Sequence, residues 1–217
     1  MGLRTNFYVD GFNLYFGLLK SKPNRKWLDL AKLARTVRKK DHINRIRYFT
    51  APVNGTVDAD EPIRQHTYLR ALRTLHPLVS VHLGQFQEND ASREVIDPLV
   101  CKRCGSRDFP RRVKIREFKE KGSDVSLATM LLCDAFDGDF QQAIVVTNDS
   151  DLALPIEMVR VRFQLKIGVL SPRPSVTARL QKAATFCGAL RQGAIEACQF
   201  SAMLTDRDGT ITKPAHW

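Results

Sequence analysis

The segment Ala143-Ile144-Val145-Val146-Thr147-Asn148-Asp149-Ser150-Asp151 decides the fold. An unbroken run of apolar and β-branched residues over 143–147, closed by Asn, Asp and Ser, reads as a short strand running into a polar turn. Downstream the chain predicts a helix over Asp151–Val161, a strand over Leu165–Leu170, a helix over Ser175–Gln181 and a last short strand near Phe186–Leu190. Strands and helices that alternate at this spacing predict an α/β domain with a mainly parallel sheet.

The same alternation extends upstream. Ser123–Phe136 reads as a helix, and Asn6–Asp10 as the opening strand, punctuated by Gly11 before a helix that carries Leu14, Phe16, Leu18 and Leu19. A second helix follows from Leu28, Leu30, Leu33, Ala34 and Val37, with Asp29 favourable in its first turn. Ile43–Thr50 predicts a strand and Ala51–Asp60 a turn-rich connection. Asp60 can cap the next helix, with Pro62 in its first turn and Ile63, Leu69, Leu72 and Leu75 as the buried stripe. Pro77 ends that helix, and Leu78–Phe86 reads as one more strand. Residues 87–121 depart from the pattern as a basic insertion around Cys101-Lys102-Arg103-Cys104-Gly105, and the residues after Gln199 read as a loose tail. The division is a main domain over 1–198, with 87–121 inserted, and a tail over 199–217.

Composition bounds the function. The 217 residues, 43% hydrophobic, suffice for one well-buried domain. No apolar run approaches the ~18–20 residues that cross a bilayer, and Met1–Asp10 lacks the apolar centre of a signal peptide. A cytoplasmic protein without membrane partners is expected. Five cysteines form an odd, sparse set, so thiols rather than a disulfide framework are expected. A net charge of +11, from 34 Lys+Arg against 23 Asp+Glu, favours polyanionic partners, nucleic acid first.

Asp10, Asp124, Asp149 and Asp151 fall at the ends of predicted strands or in the first turn of the following helix, where α/β proteins place their chemistry. Singly, each has a simpler explanation: a helix cap, or a carboxylate complementing a helix dipole for a few tenths to about 1 kcal/mol. Should all four converge, their repulsion calls for a divalent cation among them. Oxygen-only ligands suit Mg²⁺ or Mn²⁺, which would activate water against a phosphodiester.

Three strings carry a family resemblance. Tyr8-Val9-Asp10-Gly11-Phe12-Asn13-Leu14-Tyr15 resembles the opening motif of NYN domains, the PIN-like ribonuclease superfamily that includes the LabA-like proteins. Glu120-Lys121-Gly122-Ser123-Asp124-Val125-Ser126-Leu127-Ala128 resembles that family's next aspartate-bearing helix, and Thr147-Asn148-Asp149-Ser150-Asp151 its Ser-Gly-Asp-Ser-Asp signature. The likeness spans roughly residues 4–190. It implies a PIN-like three-layer α/β/α fold and a metal-dependent ribonuclease. Asp10, Asp124, Asp149 and Asp151 would then be the Mg²⁺ or Mn²⁺ ligands, with Asn13 orienting a ligand water or phosphate. Asn148 stands where the family has a small residue, and its side chain is expected to crowd the site. Ser150 and Thr147 can donate hydrogen bonds to carboxylates or phosphate.

The Cys101-x-x-Cys104-Gly105 knuckle has the form of half a zinc ribbon. The resemblance implies that many family members carry such a hairpin just before the second acidic motif. With no second pair in the chain, a partial or remnant knuckle ranks first, a complete Zn²⁺ site with a remote ligand such as His82 second, and a redox pair third. Cys133 is expected in the core of its helix, and Cys187 and Cys198 as buried or incidental thiols.

Positive charge concentrates in two segments: 11 basic against two acidic residues over Lys20–Arg47, and nine against three over Val100–Lys121. Lys102, Arg103, Arg111, Arg112, Lys114, Arg116 and Lys121 are the candidate nucleic-acid contacts, with Trp27, Phe109 and Phe118 as interleaved aromatics. Such runs are often no more than solvated faces. The leading expectation is an RNA-cleaving, metal-dependent nuclease, compatible with a homo-oligomer. The alternatives are an RNA-binding or regulatory module that cleaves poorly, and a phosphatase, against which the first strand offers no Asp-x-Asp.

Overall fold

The computed structural model describes residues 2–56, 58–96, 100, 103–105 and 112–217, apart from the side chain of Phe118. In chain order the elements are β1 (Arg4–Asp10), α1 (Gly11–Leu14), α2 (Leu30–Val37), β2 (His42–Thr50), α3 (Glu61–Arg73), β3 (Val79–Leu83), β4 (Gln85–Glu94) and β5 (Arg112–Lys121). There follow α4 (Ser123–Phe136), β6 (Gln142–Val146), α5 (Ala153–Val161), β7 (Lys166–Ser171), α6 (Ala178–Ala183), β8 (Phe186–Ala189), α7 (Gln192–Ala197), β9 (Met203–Asp206) and β10 (Gly209–Thr212).

Six strands form a parallel sheet in the order β3-β2-β1-β6-β7-β8. Its central strands are apolar on both faces because helices cover both. Phe7 and Val9 of β1 join one core, with Leu33 of α2, Leu72 of α3 and Ile195 of α7. Tyr8 joins the other, with Leu131 of α4, Ile156 of α5 and Leu180 of α6. Each such buried side chain contributes about 1.5–3 kcal/mol relative to exposure. The layering is α/β/α.

Several predicted boundaries move. Asp29 is the N-cap of α2 itself, its Oδ1 accepting from the amides of Ala31 and Lys32, both at 2.9 Å. Asp60 precedes α3 without a side-chain cap bond, and Ile63 is 65% exposed rather than part of the buried stripe, which Leu69 and Leu72 supply. The single strand expected over 78–86 is two. Gly84 donates to Thr50 O at 2.7 Å, and a Cβ there would lie 2.7 Å from Lys121 O, so the chain leaves the sheet at a contact only glycine permits. It enters an antiparallel hairpin in which all ten residues of β4 pair with β5.

The loose tail is a correction. β9 and β10 form a hairpin that buries Ile211, Arg70 grips Asp206 with two hydrogen bonds of 2.7 and 3.0 Å, and Trp217 packs against Trp27 and Tyr68. Asp208-Gly209 at its turn is the hairpin signal the polar composition concealed.

The basic segment over 20–47 is corrected as well. Arg25 pairs with Glu196, Arg38 with Asp41, Arg45 with Asp139 and Arg47 with Asp134, while Lys26 is buried. Acids remote in sequence neutralise Arg25, Arg45 and Arg47, and Asp41 within the run neutralises Arg38, so much of the run is structural. Trp27 is 0% exposed and donates to Ser201 O at 2.8 Å, which removes it from any RNA-contacting surface.

Candidate active site

Strand order reverses between β1 and β6: the chain builds β2 and β3 on one side of β1, then returns to lay β6, β7 and β8 on the other. In open α/β sheets the crevice beyond the carboxyl ends at such a switch point is where ligands bind. Val9 is level with Val146, so the residues after them, Asp10 and Thr147, leave the sheet side by side at this crevice.

Local hydrogen bonds fix both turns. Asp10 accepts from the Asn13 amide at 2.9 Å through Oδ1 and from Thr147 Oγ1 at 3.0 Å through Oδ2. Thr147 Oγ1 in turn accepts from the Asp149 amide at 3.1 Å, and Asp149 Oδ1 from the Asp151 amide at 2.9 Å. Asn13 Oδ1 accepts from the Asn148 amide at 3.0 Å, strapping the β1 turn to the β6 turn. That occupies the Asn13 oxygen with a structural role. Asn148 does not crowd the crevice as expected: its Oδ1 accepts from the Thr177 amide at 3.0 Å, tying this turn to the start of α6. Asp124 arrives from another direction. Gly122, at φ 95°, supplies the left-handed turn that ends β5 and starts α4, and Glu120 Oε1 accepts from the Ser123 amide at 2.9 Å.

The carboxylates feel one another. Asp10, 6% exposed, is pushed up to about 6 chiefly by burial, with Asp124 and Asp149 adding repulsion against its hydrogen bonds to Asn13 and Thr147. Asp124 is likewise pushed up to about 6, by burial and then by Asp149, Glu120 and Asp151. Glu120 therefore belongs to the acidic group, although the sequence reading passed over it as part of a motif flank. Among the described residues, no three His, Cys, Asp or Glu side chains are grouped tightly enough to hold one ion by themselves. Carboxylate oxygens in mutual repulsion fit a hydrated Mg²⁺ or Mn²⁺, which takes one or two protein carboxylates and keeps several waters.

Beside the acids lies a pocket of about 480 Å³ walled by aromatic side chains, including Phe12, Tyr15, Tyr48 and Phe86, with Glu120 also on its lining. Sequence reading missed it because its aromatics, with Tyr68 and Trp217 added to those four, come from five separated segments.

The arm that rises from Gly84 carries exposed Arg112, Lys114, Arg116 and Lys121, with Arg103 and Cys104 exposed near its tip. Arg116 pairs with Glu88 at 2.9 Å, and Arg93 and Lys119 both reach Glu117, so acids on both strands offset part of the arm's charge. Cys101, Lys102, Phe109 and Arg111 lie outside the described residues. His82 stacks on Phe49 and shares its Nε2 with Ser80 and Arg47 in the main sheet. Cys133 is exposed, a correction to its expected core position, while Cys198 is buried and Cys187 half-buried.

Comparison with known proteins agrees with this architecture. The chain is 30% identical to 6-hydroxy-3-succinoylpyridine 3-monooxygenase HspA of Pseudomonas putida (strain DSM 28022 / S16), over 99% of this chain and 75% of that protein. A protein of unknown function from Vibrio parahaemolyticus RIMD 2210633 shares the fold, with a TM-score of 0.56 at 18% identity over 88% of this chain and 94% of that one. The NYN domain model matches residues 4–188, which include all four aspartates at the crevice, and the chain belongs to the NYN domain family.

Proposed function

We propose that the protein is a divalent-metal-dependent hydrolase of phosphodiester bonds, with RNA as its substrate. One observation carries this reading: Asp10 of β1 and Asp124 of α4 lie at the topological switch point, where burial first, and then the charge of Asp149 beyond β6, raises the proton affinity of both. One or two of Asp10, Asp124, Asp149 and Asp151 would hold Mg²⁺ or Mn²⁺ directly and the others through its waters; the ion when bound supplies a more acidic water and stabilises charge on the scissile phosphate. Thr147 orients Asp10, and the Asn13 and Asn148 straps keep the two turns in register. Lys121 and the outer residues of the arm supply sequence-independent phosphate contacts. Metal-stimulated cleavage of RNA by the purified chain, lost in Asp149→Asn, tests the reading. Salt-sensitive RNA binding without cleavage in either metal would refute it in favour of a binding module.

A second reading is favoured by the aromatic pocket and by the name of the Pseudomonas relative: oxygenation of a small heteroaromatic compound. It predicts hydroxylated product from a hydroxypyridine, given dioxygen and a reductant, and no RNA cleavage.

A further inference from the structure

Lys26 is the unusual group of the aromatic pocket. It is 8% exposed, and its Nζ lies 5.5 Å from the ring centroid of Tyr15 and 5.9 Å from that of Trp217. Among the described residues no carboxylate reaches salt-bridge distance of this ammonium. Buried charges are ordinarily paired; the stem of Lys26 is buried while its Nζ opens on the pocket, beside ring faces and no carboxylate. Its proton is held less firmly than usual, by burial first and then by the nearby Arg64 guanidinium, with Glu61 and Asp58 opposing and Lys20 reinforcing. Arg64 also lines the pocket, and it is itself paired with Asp58. Glu61 lines the pocket too, so with Arg64 neutralised by Asp58, Lys26 is the lining cation that no described carboxylate pairs. On the same lining, Phe86 of the arm tilts toward Phe12 at 6.2 Å between centroids, and Phe12 stacks on Phe16 at 6.3 Å. The volume, about 480 Å³, lies within the range of small-molecule sites.

We propose that this pocket binds a planar aromatic ring bearing an acidic group, the ring against Phe12 and Phe86 and the acid at Lys26. An anion there gives the Lys26 ammonium the partner that no described carboxylate supplies. Two sources share this chemistry: a nucleotide, whose base would enter the pocket, and a free aromatic acid. The nucleotide form rests on the hydrolytic reading above; the free-acid form does not.

The test is equilibrium binding to the full chain in chelator, followed by tryptophan fluorescence and calorimetry, so turnover plays no part and failure of the cleavage reading leaves it intact. Nicotinate is compared with nicotinamide, and uridine 5′-monophosphate with uridine. In at least one pair the acid is expected to bind about tenfold or more tighter than its neutral counterpart, the size of a charge-assisted hydrogen bond. Lys26→Met should bring that ratio to about one and Lys26→Arg should preserve it. The pair that shows the ratio identifies the source. Equal binding of acid and neutral members in the unaltered chain, or no saturable binding of any of the four, overturns the proposal; because this comparison needs no variant, poor folding of Lys26→Met does not protect it.

Discussion

Asp10→Asn should make the metal-free protein more stable at pH 8 while abolishing the metal-stimulated cleavage proposed above. Asp10 is nearly sealed from solvent and its proton affinity is raised from 3.8 to about 6, so ionising it costs the folded state more than the unfolded chain. The sign follows from linkage: the native state binds more protons than the unfolded one between these values, so stability falls as pH rises through them. The penalty is absent well below 3.8, grows across the interval and is complete above about pH 7, where it reaches about 3 kcal/mol. Asparagine removes the charge and retains both contacts. Its carbonyl can accept from the Asn13 amide, and its amide can donate to Thr147 Oγ1, whose hydroxyl proton is then free to turn elsewhere. Urea unfolding of both proteins in chelator at pH 5, 6.5 and 8 should give a difference that widens with pH toward about 2–3 kcal/mol. Added Mg²⁺ should then stabilise the parent chain and not the variant, since a ligand of the native state adds to stability by mass action. A variant less stable than the parent at pH 8, or a difference constant across the three pH values, would refute the claim that Asp10 is a strained buried carboxylate.

Two further predictions concern the frame around the site. Asp134 accepts from Arg47 at 2.7 and 2.8 Å and from the Tyr8 hydroxyl at 2.6 Å, so Asp134→Ala leaves a half-buried cation and a buried phenol without their partner; a loss of about 3 kcal/mol is expected in urea melts at neutral pH. Ile211→Ala should cost about 2–5 kcal/mol by emptying the contact between the carboxyl-terminal hairpin and the core, measured the same way, whereas a tail that contributed nothing would show no change.

Much of the site was legible in the chain because its turns are local. A strand ending in Asp-Gly-x-Asn or Thr-Asn-Asp-Ser-Asp carries its own caps, so Asp10 and Asp149 could be placed at strand ends from a few residues around each. The apolar run over 143–147 and the helical spacing over 123–136 were readable for the same reason, since period and punctuation are short-range properties. Charge was the misleading signal. Eleven basic residues over 20–47 look like a surface for a polyanion, yet Arg25, Arg45 and Arg47 meet acids from distant parts of the chain. An ion pair of that kind has no signature in sequence spacing. Cys133 sat on a correctly placed helix but on its outward side, because one-dimensional periodicity leaves the phase of a mostly apolar helix undetermined.

The sequence by itself determined that this is an α/β chain with acids at strand ends, because strand, turn and cap preferences are written within a few residues of each position. Only the tertiary structure decided that β1 and β6 are neighbours, and therefore that Asp10 and Thr147 touch while Asn148 turns away to hold α6. It alone decided, too, that aromatics from five segments line one pocket with Lys26 beside those acids. Which strands adjoin is settled by how two cores pack on opposite faces of one sheet, and that balance is a property of the whole chain.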